Sequence, residues 1–454
     1  MVSQVFAVII FVVMFACIIS GKVERYIPAL VGAVAMLVIV FGFCMHSFTA
    51  IWDTLNLKCF VTQQFWYAPG VSEETSSGIN WATILFFLGM MVLVEGMGNV
   101  GFFRWLCLRL AKLVKYKVVP IFITFMLLSA FLAMFIDSIT VVLFLTAITI
   151  ELSGLLKFNP VYMILPEIFC ANLGGAATMS GDPPNIIIGT SLGFSFTDFI
   201  ENTGVIVLVA LIVIAVYFYI CFAKKLKIGA HTVDASAMPD PSSAITNKPG
   251  FIISTVIFIM IVFLLVTHAQ TGITVASIGM IAAILTLVTS VDVKCSLLKK
   301  VDWKTIFFFI GLFVVVGGLE QTHILEIIAG LISKASGGHT MVMVSVILWF
   351  SAIASAIIDN IPFAATMVPV IKTLAVTQGI PIETLAWTLA LGTDIGGNAT
   401  PIGASANVVG TSIAAKNGHH VSWGQYCKYA LPATVICLSI CTAMLYFLHV
   451  MPLG

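Results

Sequence analysis

The sequence predicts an all-α polytopic membrane protein built from two inverted repeats, and three observations predict it. Of its 454 residues 60% are hydrophobic and 9% charged, with a mean hydropathy of +1.12. Soluble domains carry about 25% charged residues, so this chain is made for a bilayer. Most of the chain also divides into apolar stretches of membrane-crossing length. Finally, residues recur at a fixed offset of 222: Trp81 with Trp303, Gly89 with Gly311, Asp137 with Asp359, Gly174-Gly175 with Gly396-Gly397, Thr178 with Thr400, Gly181 with Gly403 and Asn185 with Asn407. After Asn185 one residue is lost, so Gly189-Thr190 meets Gly410-Thr411. Such self-similarity marks a duplicated unit.

In chain order, about ten crossings are expected: 4–20, 27–43, 81–98, 161–194 (broken), 203–222, 251–268, 272–290, 304–320, 384–416 (broken) and 427–449. Met1–Ser20 lacks the positive start of a signal peptide and reads as the first membrane helix. Residues 45–79 form a predicted exterior loop. Phe102–Lys117 sets Arg104, Arg109, Lys112 and Lys115 against Phe, Trp and Leu, the pattern of an amphipathic interfacial helix. Stretches 118–155 and 340–376 are apolar with polar centres, Asp137-Ser138 and Asp359-Asn360. Each reads either as two crossings or as a re-entrant hairpin, whose turn is tolerated at that depth only inside protein or beside a cavity. Lys224–Lys248 holds Pro, Ser, Asp and Gly and reads as a cytoplasmic linker. The repeats are thus 1–222 and 251–454, joined by 223–250.

The two broken helices carry the functional signal. NLGGAATMSGDPPN (Asn172–Asn185) and DIGGNATPIGASAN (Asp394–Asn407) interrupt apolar segments with the residues that end helices. A helix arriving along 161–173 must unwind and restart near Pro183. Broken helices in corresponding positions of two halves point to a binding site at mid-membrane, as in secondary transporters.

Charge distribution sets the orientation. If both polar-centred stretches are hairpins, each unit has five crossings and the second copy runs inverted. That topology puts 18 of the 21 Lys and Arg residues on one side and Lys58, Lys334 and Lys372 on the other. The basic side is cytoplasmic. Both termini are then extracytoplasmic, with hairpin 118–155 opening to the cytoplasm and hairpin 340–376 to the exterior.

Several other readings fall away. A net charge of +1 argues against a nucleic-acid partner. The 10 cysteines are scattered singly and have no CxxC pair, so neither disulfides nor a metal centre are expected. Gly96–Gly101 matches G-x-G-x-x-G but follows a membrane span and no strand, so it is not a dinucleotide loop. Asn398-Ala399-Thr400 spells a glycosylation sequon inside a broken helix and is rejected. No nucleophile–base spacing suggests an enzyme.

Asp137, Glu167, Asp182, Asp359 and Asp394 fall in membrane segments, with no Lys or Arg expected at that depth. A lone carboxylate there costs on the order of several kcal/mol, so it binds a cation or carries a proton. The bland alternative is helix capping: by Asp137 and Asp359 at the hairpin tips, and by Asp182 ahead of Pro183-Pro184. Unwound carbonyls and the hydroxyls of Thr178, Ser180, Thr400 and Ser405 supply further oxygen ligands.

FIDSITVVLFLTAITI, NLGGAATMSGDPPNIIIG, IIDNIPFAATMVPV and GGNATPIGASANVVG resemble the signatures of the arsenite permease and P-protein branch of the ion transporter superfamily. That superfamily also holds citrate-transporter-like proteins and sodium–dicarboxylate symporters. The resemblance covers most of the chain. It implies a homodimer in the inner or plasma membrane, in which a scaffold domain holds a moving transport domain, an elevator-type arrangement. It also implies candidate sodium or proton sites at Asp137, Ser138, Asn172, Gly174, Thr178 and Gly181, and at Asp359, Asn360, Asp394, Gly396, Thr400 and Gly403. Substrate contacts would come from Asp137, Ser138, Asp182, Asn185, Asp359, Asn360, Ser405 and Asn407. No cofactor is expected, bound sodium being the single candidate.

In one respect the chain departs from the family pattern. The dicarboxylate symporters carry Ser-Asn-Thr at both tips, whereas these tips read Asp-Ser-Ile and Asp-Asn-Ile. Acidic tips favour a cationic, protonatable or neutral solute. The expected function is an ion-coupled secondary transporter. Its specific activity reads as arsenite or antimonite efflux, sodium–proton antiport, sodium-coupled citrate or dicarboxylate symport, or, in another class, an anion channel. Like charges sharing a low-dielectric site resist ionising together, so the empty site is expected to hold a proton that a bound cation replaces.

Overall fold

A computed structural model describes residues 2–69, 78–227, 238–290 and 294–451. It is helical throughout, and among the described residues the strand-type pairing is an isolated Tyr67–Ile273 bridge. The bilayer dictates this, because lipid offers backbone N–H and C=O groups no partner and a helix satisfies them internally. In the first half run α1 (Val2–Ser20), α2 (Tyr26–Cys44), α3 (Phe48–Leu55), α4 (Trp81–Asn99), α5 (Phe102–Leu113), α6 (Val118–Ala133), α7 (Ser138–Leu156), α8 (Val161–Gly175), α9 (Pro183–Leu192) and α10 (Phe196–Leu226). The second half holds α11 (Lys248–Thr271), α12 (Val275–Thr289), α13 (Trp303–Gln321), α14 (Ile324–Ser336), α15 (Thr340–Ser355), α16 (Asn360–Gln378), α17 (Ile382–Gly396), α18 (Ser405–Lys416) and α19 (Trp423–Val450).

Helix starts are capped by the side chains the sequence provides. Asn80 accepts the Thr83 N–H at 3.0 Å, and Asp302, its counterpart in the repeat, accepts that of Thr305 at 3.2 Å. Chain reversals after α9, α11 and α16 use Gly193, Gly272 and Gly379 at φ +76°, +71° and +66°, where a side chain would be strained.

Among the described residues nine helices are long and apolar enough to cross a membrane. Seven coincide with spans read from the sequence: α1, α2, α4, α10, α11, α13 and α19. The other two are α7 and α16, the second arms of the polar-centred stretches. The spans expected to be broken, 161–194 and 384–416, each appear as two helices, of 15 and 10 residues and of 15 and 12, and the expected span 272–290 is a helix of 15 residues. The predicted exterior loop 45–79 is partly helical, with α3 capped by the Ser47 hydroxyl. Residues 70–77 of that loop and 228–237 of the linker lie outside the described residues. Phe102–Lys117 is helical to Leu113 and buries Phe102, Phe103, Cys107, Leu108 and Ala111, as its amphipathic pattern requires.

Two groups of helices pack tightly. In one, α4 lies along α12 and α2 along α13; in the other, α6 lies along α8 and α15 along α17, with α7 against α18 and α9 against α16. Contact between the groups is sparser, mainly α13 on α16 and α9 on α4. Glycines bring the backbones together: a Cβ on Gly174 would overlap Ala130, and one on Gly396 would overlap Ala352. Small residues permit such close approach in membranes.

Gly174→Ala should therefore force α8 off α6 and cost about 1–3 kcal/mol. Gly154, on an open face of α7 with nothing near its Cβ position, is the control: Gly154→Ala should be neutral or stabilising by about 0.5–1 kcal/mol. Thermal unfolding midpoints of the two variants in detergent separate these outcomes.

Candidate ion and substrate site

Each broken helix leaves its turn of backbone without helical partners, and an asparagine repairs it. Asn185 donates both amide hydrogens, to the carbonyls of Gly175 (3.0 Å) and Thr178 (3.1 Å). Asn407 does the same for Gly397 and Thr400, both at 2.8 Å. The Thr178 hydroxyl donates to the Met134 carbonyl in the turn between α6 and α7, and Thr400 donates to Ala356 in the turn between α15 and α16. Each break is thereby stapled to a polar turn of its own repeat. The candidate threonine ligands thus have their hydroxyl protons committed, leaving oxygen lone pairs.

At the tips, Asp137 accepts the N–H (2.9 Å) and hydroxyl (2.7 Å) of Thr140, and Asp359 accepts the Ile361 N–H at 3.2 Å. Both cap their helices as expected. Asp182 does not: it stands at the N-cap position of α9 but makes no side-chain cap bond. Its carboxylate is drawn sideways by the Ser138 hydroxyl at 2.7 Å. In the other repeat the roles reverse, and the Ser405 hydroxyl donates to Asp359 at 2.8 Å.

The centre joins the two repeats. Asn172, before the first break, donates to Oδ1 of Asn398 (2.9 Å) and of Asn407 (2.8 Å), beyond the second helix end. Asp394 stands at the position equivalent to Asn172 and has Asn185 and Asn360 beside it, with Asp182 in electrostatic reach. Here the pattern cannot repeat, because a carboxylate has no hydrogen to give. Among the described residues both Asp394 oxygens, Asn172 Oδ1, Asn185 Oδ1 and Asp182 Oδ2 are buried without a donor. Asp182 is also within electrostatic reach of Asp137 and Asp359. Acceptors buried together need a proton or a cation between them.

The expectation that no basic residue pairs these carboxylates is overturned. Arg25, just before α2, donates from Nη1 to Asp359 Oδ2 (3.0 Å) and to Ser405 Oγ (3.0 Å), and from Nη2 to Thr305 Oγ1 (2.9 Å). Its guanidinium also stacks over Phe308 at 5.2 Å. The sequence places Arg25 in a short loop outside the membrane, and nothing local shows that a hairpin tip comes to meet it. Asn398 is likewise a central residue that sequon reasoning discarded. Gly174, Gly181, Gly396 and Gly403 act through packing, since a Cβ at each would press on neighbouring backbone. Glu167 sits apart, accepting from Thr149 at 2.6 Å with Oε2 unpartnered.

The two groups also meet at the start of α4. There Asn80 donates to Thr190 (2.7 Å) and Ser191 (3.1 Å), and Thr83 shares a 2.9 Å bond with Thr190. Beside them a crevice lined by Asn80, Ser191, Phe313, Glu320 and Lys372 separates α13 from α16.

Comparison with known proteins agrees with this architecture. The citrate transporter family, CitMHS, matches residues 15–392. A 46 kDa membrane protein of Mycobacterium leprae is 31% identical over 96% of this chain and 97% of its own length. An uncharacterized transporter of Mycobacterium tuberculosis is 32% identical over 98% of this chain and 97% of its own. The human P protein is 27% identical over 82% of the chain and 54% of itself. Among solved structures, the YdaH transporter of Alcanivorax borkumensis superimposes with a TM-score of 0.61 at 12% identity, covering 89% of this chain and 88% of that one. MtrF of Neisseria gonorrhoeae, which illuminates a class of antimetabolite efflux pumps, gives 0.56 at 14% identity, covering 81% of each chain. At these identities the two structures share the fold.

Asn407→Ala would take a buried donor from the Gly397 and Thr400 carbonyls and remove one of the two acceptors of Asn172. Each buried polar group left unpaired costs about 1–3 kcal/mol, so this variant should unfold at a clearly lower temperature or fail to fold. Ser439, whose hydroxyl makes an exposed bond to its own helix, is the control; Ser439→Ala should shift the midpoint little.

Proposed function

This chain belongs to the CitMHS citrate transporter family, and on that footing we propose that it is an ion-coupled secondary transporter working by alternating access. The observation that carries this reading is the set of buried, unpartnered oxygens on Asp394, Asn185 and Asp182 at the two broken helices. A site that must be completed by a proton or a monovalent cation, and that neighbours the tips Asp137 and Asp359, ties occupancy by solute to occupancy by ion. The solute is cationic, protonatable or neutral, because Asp137, Asp182 and Asp394 lie in electrostatic reach of other carboxylates while Arg25 pairs with Asp359 alone of the four aspartates among the described residues.

The two helix groups supply the moving parts. The group with the breaks and polar turns is the transport body; α1, α2, α4 and α11 to α13 form the scaffold. The apolar outer faces of α1 and α2, with Val5, Val12, Val31 and Val34 exposed, suit lipid or a second copy in a homodimer. With the cytoplasmic side assigned by the basic residues, α2 and α13 start at the cytoplasm, so hairpin 340–376 is held at the inward end of an elevator stroke.

The direct test is flux into proteoliposomes, with a panel of solutes under imposed proton and sodium gradients in turn. Saturable uptake driven by one gradient is expected. Flux at channel rates, or no dependence on either gradient, would replace this reading with the channel. Asp394→Asn gives the second centre the donor that Asn172 gives the first. It should fold normally, keep solute exchange across the membrane and lose gradient-driven accumulation; full accumulation with unchanged ion dependence would place the coupling elsewhere.

A further inference from the structure

Arg25 and Thr305 belong to one helix group, Asp359 and Ser405 to the other, so the guanidinium spans the boundary between them. Its side chain is 26% exposed and that of Asp359 16%. Thr305 in turn donates to Asp302, which fixes it as an acceptor for Arg25. Asp359 is thus paired inside the protein, on the oxygen that Ser405 also holds. A soluble cation approaching that oxygen meets a tethered one already there.

The repeat shows that this contact is one-sided. Asn80 and Thr83 on α4 correspond to Asp302 and Thr305 on α13, and Thr190 on α9 corresponds to Thr411 on α18. At the start of α4 the bonded residues are Thr190 and Ser191, near the far end of α9. At the start of α13 the partners, reached through Arg25, are the hairpin tip and Ser405, at the near end of α18. Exchanging these two relations between the repeats gives a second arrangement, with Thr411 against Asp302 and Thr305 and the Asp137 tip brought toward Asn80 and Thr83. From Ser405 to Thr411 is six residues, about 9 Å of helix. In that arrangement the place equivalent to Arg25 offers Asp137 no guanidinium. The loop ahead of α12 occupies the place equivalent to Arg25, next to Ala82 and Thr190, and Gly272, Ile273 and Thr274 carry no charge.

We propose that Arg25 is a built-in cation that occupies the hairpin 340–376 site in one of two transport states and latches the molecule there. Leaving that state requires Asp359 to exchange Arg25 for a soluble cation, so the coupling ion acts as the key. This rests on the alternating-access reading above and assigns its regulation to one side chain.

Paired cysteines report the two states, in a background freed of reactive cysteines. Thr83→Cys with Thr190→Cys should crosslink in the arrangement described here, and Asp302→Cys with Thr411→Cys in the exchanged one. With Arg25 intact the first pair should dominate. Arg25→Gln should shift the ratio of the two crosslinks by about tenfold or more toward the second, the change produced by removing about 1.4 kcal/mol from one state. Arg25→Lys, which keeps the charge, should restore much of the original ratio. Asp359→Asn, which frees Arg25 from the opposite side, should reproduce the Gln effect. Added sodium or protons should shift the ratio when Arg25 is present and much less in Arg25→Gln. Crosslink ratios that ignore both substitutions overturn the latch, as does a shift with Arg25→Gln alone. Flux of the solute panel is measured on the same preparations: ion-driven flux with unresponsive crosslinks sinks the latch and spares the transporter, while responsive crosslinks without flux of any solute sink the transport assignment.

Discussion

Polar groups held inside an apolar slab can bond only to one another, and the central architecture follows from that constraint. A transporter needs open backbone at mid-depth, and open backbone there is costly. The chain meets the cost with two asparagines, each closing a break from within by two hydrogen bonds. Because these amides spend their N–H groups on the backbone, only their oxygens face the centre. Everything that happens at the centre is then decided by what can donate to an oxygen.

The packing adds a mechanical counterpart. Glycine-mediated contacts bring helices together within each group, while hydroxyls, an amide and the Arg25–Asp359 ion pair are among the contacts that cross the boundary between groups. Interfaces of that kind are remade at low cost, because each polar partner can be replaced by an equivalent one on the other repeat. Two tightly packed groups that meet along a polar seam are what the proposed alternating access calls for. The seam is also uneven: Arg25 reaches Asp359 and Ser405 at the start of α13, whereas hydroxyls and an amide make the bonds at the start of α4.

Much of this was legible in the sequence, for identifiable reasons. The helical class followed from hydropathy, and the two breaks from Gly and Pro in apolar surroundings. The offset of 222 named Asn185 and Asn407 together, and they make the same pair of bonds. Helix starts were harder: α12, expected from 272, begins at Val275, because Gly272 turns the chain and the Thr274 hydroxyl caps the helix there. For Asp182 the capping alternative fails and the functional one stays open: the Asp-Pro-Pro signal for a cap is local, whereas the Ser138 hydroxyl that captures its carboxylate arrives from another helix. Arg25 was missed for the same reason on a larger scale. It lies 334 positions from Asp359, and no periodicity or motif links the start of the second helix to a hairpin in the other half.

The pairing of Asn172 with Asp394 carries an evolutionary consequence. In a freshly duplicated gene both positions would have held the same residue, and with asparagine at each both sides would have an amide to donate. Asparagine and aspartate codons differ by a single base, so one mutation suffices to take that donor from one half while the other keeps it. Duplication makes two halves alike; the difference between one amide and one carboxylate is enough to set them apart.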